Sequence, residues 1–154
     1  MKIIELMCSG PRACTPKEDC TAALEIMRQK NCGCVPVVES HKTKRLVGIV
    51  TDRDIALKLL EEDAPPSRVS LEACMRPQPR VIAPESDLDE AVRLMETAAV
   101  HRLPVVSNGM LVGILSLKDI AVAAARRHSG ADEGACSPED RQIAELIESI
   151  ALSR

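Results

Sequence analysis

The stretch Gly48-Ile49-Val50-Thr51-Asp52-Arg53-Asp54 reads as the end of a buried strand running straight into the first turn of a helix. A hydroxyl, Thr51, and a carboxylate, Asp54, stand three residues apart where that helix begins. The pattern returns as Gly113-Ile114-Leu115-Ser116-Leu117-Lys118-Asp119, with Ser in place of Thr. Outward from these two stretches the chain is written twice. Met7, Pro16, Asp19, Ala23, Met27, Pro36, Val37 and Val38 recur, each 68 positions on, as Met75, Pro84, Asp87, Ala91, Met95, Pro104, Val105 and Val106. Gly48, Thr51, Asp54 and Ile55 recur 65 positions on as Gly113, Ser116, Asp119 and Ile120. The three lost residues fall in a turn, long and polar at 39–44 but compact at Ser107-Asn108-Gly109-Met110. Asn-Gly there signals a tight hairpin, because both residues tolerate positive φ.

Each copy yields the same series of elements. A leader, residues 2–8 or 70–76, is expected to be helical, followed by an extended piece ending at Pro16 or Pro84. Asp19 and Asp87 are expected to cap the next helix, and Glu90 is placed to close a capping box with Asp87. Ala23, Leu24 and Met27 point inward in the first copy. Leu88, Ala91, Val92, Met95 and Ala99 keep helical period in the second. Hairpins at 35–38 with 46–50 and 103–106 with 111–115 follow, and helices at 52–61 and 117–127 close the units. Pro65-Pro66-Ser67 serves as the linker. Beyond it Ser137 and Pro138 start a last amphipathic helix with Ile143, Leu146, Ile147 and Ile150 on one stripe. The organisation expected is therefore 1–64, 65–128 and a tail at 129–154. A unit of this size with one hairpin buries too little to be comfortable alone, so two copies sharing a core, with a cleft between them, are expected.

Composition narrows the function. The 154 residues carry a net charge of -3 and contain no Phe, Tyr or Trp. That argues against nucleic acid, which needs cationic surface and, for single strands, stacking rings. No apolar run approaches the ~18 residues of a membrane span, nor is there a signal peptide at the start, so the expected location is cytoplasmic. The seven cysteines include no C-x-x-C pair, and the three histidines are scattered, so no metal site is expected. No Walker loop, G-x-S-x-G or H-E-x-x-H occurs, which argues against an enzyme.

The combination of the Met leaders, Thr15-Pro16, Val35-Pro36-Val37-Val38, Gly48 to Asp54 and their second copies resembles the CBS domain family. The tandem resembles a stand-alone Bateman module of bacterial or archaeal type. The resemblance covers about residues 2–127. It implies an α+β fold of two β-α-β-β-α repeats packed sheet to sheet with pseudo-two-fold symmetry, plus the C-terminal helix. It also implies an adenosine nucleotide (AMP, ADP, ATP or another adenosyl compound) held in the inter-repeat cleft as a regulatory ligand rather than a cofactor.

Carried onto this sequence, Asp54 and Asp119 are the expected ribose acceptors, since a carboxylate takes two hydrogen bonds from a cis-diol. Thr51 and Ser116, at helix starts, are expected at phosphate together with His101, Arg102, Lys118 and Arg53. Thr15, Cys34, Val35, Val37, Ile82, Leu103 and Val105 are expected around the base, with Ile3 and Val81 as neighbours of the slot. Read alone, each Asp is an ordinary helix-start carboxylate and each hydroxyl an ordinary cap. Family precedent pairs the basic residues of the second copy with the ribose site of the first, so the tighter site is expected on Asp54. A homodimer and an unidentified effector protein are the expected partners. The alternatives are a redox or metal sensor using Cys14, Cys20, Cys32 and Cys34, or an adaptor that binds no ligand.

Overall fold

Both motif stretches fold as read, and the elements around them set their surroundings. The computed structural model describes residues 1–128. The helix expected from Ser137, and Cys136, lie outside the described residues. In chain order the elements are α1 (Ile3–Leu6), β1 (Cys8–Ser9), α2 (Cys20–Lys30), β2 (Cys34–Val38), β3 (Leu46–Thr51) and α3 (Asp52–Glu62). After two single-turn 3-10 helices come β4 (Arg76–Pro77), α4 (Leu88–Ala98), β5 (Arg102–Ser107), β6 (Met110–Ser116) and α5 (Leu117–His128). The α+β class and the two repeats are as expected.

The strands form two three-stranded antiparallel sheets, ordered β1-β6-β5 and β2-β3-β4. Each sheet therefore takes its hairpin from one repeat and its edge strand from the leader of the other. The compact units follow the sheets and cut across the expected boundaries at residues 64 and 65. One unit gathers Met1–Ser9 with Arg80–Val106 and the described residues from Val112; the other gathers Gly10–Pro79 with Ser107–Leu111. In the first unit Ile3 is fully buried with Leu88, Ala91, Met95, Leu103, Val105, Leu115 and Ile120. In the second, Ala23, Ile26, Met27, Val35, Val37, Val50 and Ile55 make the matching core. Burying a side chain of this size contributes about 1.5–3 kcal/mol, so each hairpin and its two helices are held by their own cluster.

Several local expectations are corrected. The leaders are not single helices: the first is one turn followed by a two-residue strand, and the second is a 3-10 turn, Leu71–Ala73, followed by β4. Asp87 sits at the N-cap of α4 but makes no side-chain cap bond, and no capping box forms with Glu90. Its carboxylate turns to Lys2 Nζ at 2.9 Å instead. Asp19 does cap α2, accepting from Ala22 N at 3.2 Å. Ile26 takes the buried place expected for Leu24, which is half-buried. Ala99 lies beyond α4 as its left-handed C-cap (φ 51°) and is exposed. At the second hairpin Asn108 and Gly109 both have positive φ (51° and 79°), the geometry that Asn-Gly favours.

Candidate functional site

Thr51 ends β3 in extended conformation and caps α3, and the reciprocal bonds of a capping box fix it to Asp54. Asp54 N donates to Thr51 Oγ1 at 3.1 Å, and Thr51 N donates to Asp54 Oδ2 at 3.1 Å. Thr51 Oγ1 itself donates to the same Oδ2 at 2.7 Å. The second junction repeats this arrangement. Ser116 N and Oγ donate to Asp119 Oδ2 at 2.8 and 2.5 Å, and Asp119 N donates back to Ser116 Oγ at 3.3 Å. Both pairs thus have a structural role of their own, because they satisfy N–H groups that a helix start leaves open. Each hydroxyl spends its one proton on the neighbouring carboxylate. A phosphate oxygen would have to compete with that carboxylate for the hydroxyl proton.

The two carboxylates differ in their other oxygen. Asp54 Oδ1 accepts from Arg76 Nε at 2.9 Å and from Arg76 Nη2 at 2.7 Å. Burial would raise the Asp54 carboxyl, but the hydrogen bonds from Thr51 and Arg76 outweigh it and hold it below the usual carboxylate range. Arg76 was invisible as a site residue in the sequence, because nothing in a leader marks it as facing a helix start 22 positions earlier. The signal that finds it is the β3–β4 register, which sets Arg76 opposite Ile49. In the other sheet the same register sets Cys8 opposite Ile114. Cys8 therefore stands where Arg76 stands, and Asp119 Oδ1 has no partner among the described residues.

The remaining expected residues are placed as follows. Val35, Val37, Ile82, Leu103 and Val105 are buried in the two cores, as is Ile3, and Cys34 is only 4% exposed. Their side chains pack the sheets, because both faces of β2 and most of β5 are covered. Val81, beside Ile82, is the outward one at 43% exposure. Thr15 is half-buried, and its N–H is bound by Glu18 Oε2 at 2.6 Å. His101 and Lys118 are exposed and Arg102 is half-buried. The bond from Leu117 N to His101 O, at 3.0 Å, brings the start of β5 beside the start of α5. Arg53 is exposed, and its backbone N–H is taken by Asp52 Oδ1 at 2.8 Å. A recess of about 490 Å³ lined by Arg12, Glu18, Glu25, His41 and Lys44 contains none of the expected site residues.

Among the described residues no three His, Cys, Asp or Glu side chains group closely enough to hold an ion. Cys20 and Cys74 are neighbours, with sulfurs 3.5 Å apart. Burial pushes Cys14 and Cys20 up to about 12 and raises Cys74 as well. No described helix is long and apolar enough to cross a membrane.

Two hydroxyl–carboxylate junctions on duplicated α+β repeats define a tandem repeat protein. The CBS domain family matches residues 3–61 and 69–126, and the chain belongs to that family as a tandem pair. It is 34% identical over 122 residues to the uncharacterized protein YlbB of Bacillus subtilis, covering 79% of this chain and 81% of that one. Hypoxic response protein 1 of Mycobacterium tuberculosis is 32% identical over 117 residues, covering 76% of this chain and 80% of that protein. The crystal structure of that relative, with two coordinated zinc ions, has a TM-score of 0.71 at 30% identity over 79% of this chain and 98% of its own. CBSX2 of Arabidopsis thaliana in complex with AMP aligns with a TM-score of 0.68 at 26% identity, over 82% of this chain and 98% of that one.

Proposed function

We propose that this chain is a regulatory module that binds an adenosine nucleotide (AMP, ADP or ATP) in the cytosol and signals, as a homodimer, to an effector protein. The observation that carries the reading is the carboxylate of Asp119. It is held rigidly through Oδ2 by Ser116, while Oδ1 keeps both lone pairs for the two hydroxyls of a ribose. The complex of the related CBSX2 with AMP supports the same ligand class. His101, Arg102, Lys118 and Arg53 supply cations for phosphate, each charged hydrogen bond contributing about 1.5–3 kcal/mol. The pairing of the second-repeat cations with the ligand of Asp54 rests on family precedent alone.

Thermal melts with millimolar AMP, ADP, ATP, adenosylmethionine and, separately, zinc test this. A ligand at a hundred times its Kd stabilises by about 2.7 kcal/mol, a clear rise in melting temperature. The expected outcome is a rise with at least one adenosine nucleotide that Asp119→Ala removes. A rise with zinc alone, or with nothing, overturns the reading.

A further inference from the structure

We infer that Arg76 is an internal occupant of the first half-site, so that an adenosine nucleotide takes the Asp119 half-site first and reaches Asp54 only by displacing the guanidinium. The inference rests on the nucleotide reading above and reverses the order of affinities that the sequence suggested. It follows from counting acceptors. A carboxylate offers about four lone-pair positions. On Asp54 two are taken by Thr51 N and Oγ1 and two by Arg76 Nε and Nη2, so nothing remains for a diol. On Asp119 Ser116 takes two, and the remaining two are open among the described residues.

The difference is built into the sequence and is not an accident of one rotamer. Arg76 and Cys8 hold equivalent places in the two sheets, opposite Ile49 and Ile114. A cysteine carries no fork of donors and cannot substitute for a guanidinium. The helix starts differ in the same sense. Asp52 turns its carboxylate onto the N–H of Arg53 and sets a negative charge in the first turn of α3. Its counterpart is Leu117, and the N–H of Lys118 has no acceptor among the described residues. One junction is therefore closed by its own side chains, and the other is left open to an oxygen-rich ligand.

Arg76 is 61% exposed while Asp54 is 12% exposed, so the arginine lies on the solvent side of the carboxylate and has room to swing away. Breaking two charged hydrogen bonds lowers affinity at that half-site by about tenfold or more.

Calorimetry with AMP on the wild type, Arg76→Ala, Arg76→Gln, Asp119→Asn and the double variant Arg76→Ala/Asp54→Asn tests the inference. The wild type is expected to show one tight event, lost in Asp119→Asn. Both Arg76 variants are expected to gain a second event, or to tighten a weak one by about tenfold, and the double variant to lose it again. Two variants guard against a folding defect, since Gln keeps a polar side chain without the charge or the fork of donors. Heats unchanged by removal of Arg76 overturn this inference and leave the nucleotide reading intact. Weaker binding in both variants overturns it too, because Arg76 would then be a phosphate ligand. Absence of heat with every protein overturns the nucleotide reading and this inference with it.

Discussion

Asp54 is a carboxylate that burial alone would push toward the neutral form and that its donors keep charged. Because the hydrogen bonds of Thr51 and Arg76 outweigh desolvation, its titration in the folded protein lies below that of the unfolded chain, about 3.9. A group depressed in this way stabilises the fold above its unfolded pKa and loses that contribution as pH falls through the folded one. Arg76→Ala should therefore cost about 1 kcal/mol at pH 7, a figure kept small because the arginine is mostly exposed to screening solvent. The gap to the wild type in urea melts should close below about pH 4. A gap of constant size from neutral to acid pH would assign the loss to packing and not to charge. The thiols make a second residue-scale case, which bears on the redox alternative. With Cys14 and Cys20 raised to about 12 by burial, little thiolate exists at neutral pH and attack on an alkylating reagent is slow. Iodoacetamide followed by peptide mass spectrometry should label exposed Cys8 well ahead of Cys14 and Cys20. Equal labelling of Cys8 and Cys20 would revive the redox reading.

At the scale of elements, the two motif glycines are explained by what passes over them. A Cβ on Gly48 would lie 2.9 Å from Met75 Sδ and 3.0 Å from the carbonyl oxygen of Arg76. One on Gly113 would lie 3.2 Å from the carbonyl oxygen of Cys8 and would overlap Met7 Sδ outright. Each glycine lets an edge strand, β4 or β1, close onto its hairpin, and each recurrent Met packs on the recurrent Gly. Gly48→Ala is expected to cost about 1–3 kcal/mol by overpacking and to loosen β4, the strand that delivers Arg76. Denaturant melts read the first effect, and faster amide exchange at Arg76 and Gln78 reads the second. Full stability in Gly48→Ala would show that β4 moves aside at no cost. The central elements were legible in the sequence because their periods are strong: α2, α4 and both hairpins follow their apolar patterns to within a residue or two. The leaders were not, because a two-residue strand and a single 3-10 turn carry no period. Asp87 failed as a cap for a tertiary reason, since Lys2, remote in sequence, offers its carboxylate a charged partner. The hydroxyl–carboxylate pairs could be read from their spacing, whereas Arg76 required the register of a strand too short to predict.

For the whole molecule, the point the repeats conceal is which leader completes which hairpin. The two leaders share one pattern, so self-similarity along the chain is equally consistent with each folding onto its own repeat or onto the other. The structure takes the second course. Lys2 bridges to Asp87, Ile3 N donates to Ser86 O at 3.0 Å, Ile4 N donates to Pro84 O at 3.0 Å, and Leu88 N donates to Met1 O at 3.1 Å. Ile3 fills the core around Met95 and Leu103, and β1 supplies the edge of the β6–β5 sheet. Shortening the start of the chain should consequently damage the second repeat rather than the first. Ile3→Ala removes a fully buried side chain and should cost about 2–5 kcal/mol. Deletion of residues 1–9 removes the edge strand as well. Hydrogen exchange resolved by peptide should show protection falling in α4, β5 and β6 for both variants, while β2 and β3 keep most of theirs. Loss confined to β2 and β3 would mean that the leader folds onto its own repeat. Equal loss in both hairpins would mean that the two units unfold as one, because a core that depends on its neighbour cannot lose a single side chain alone.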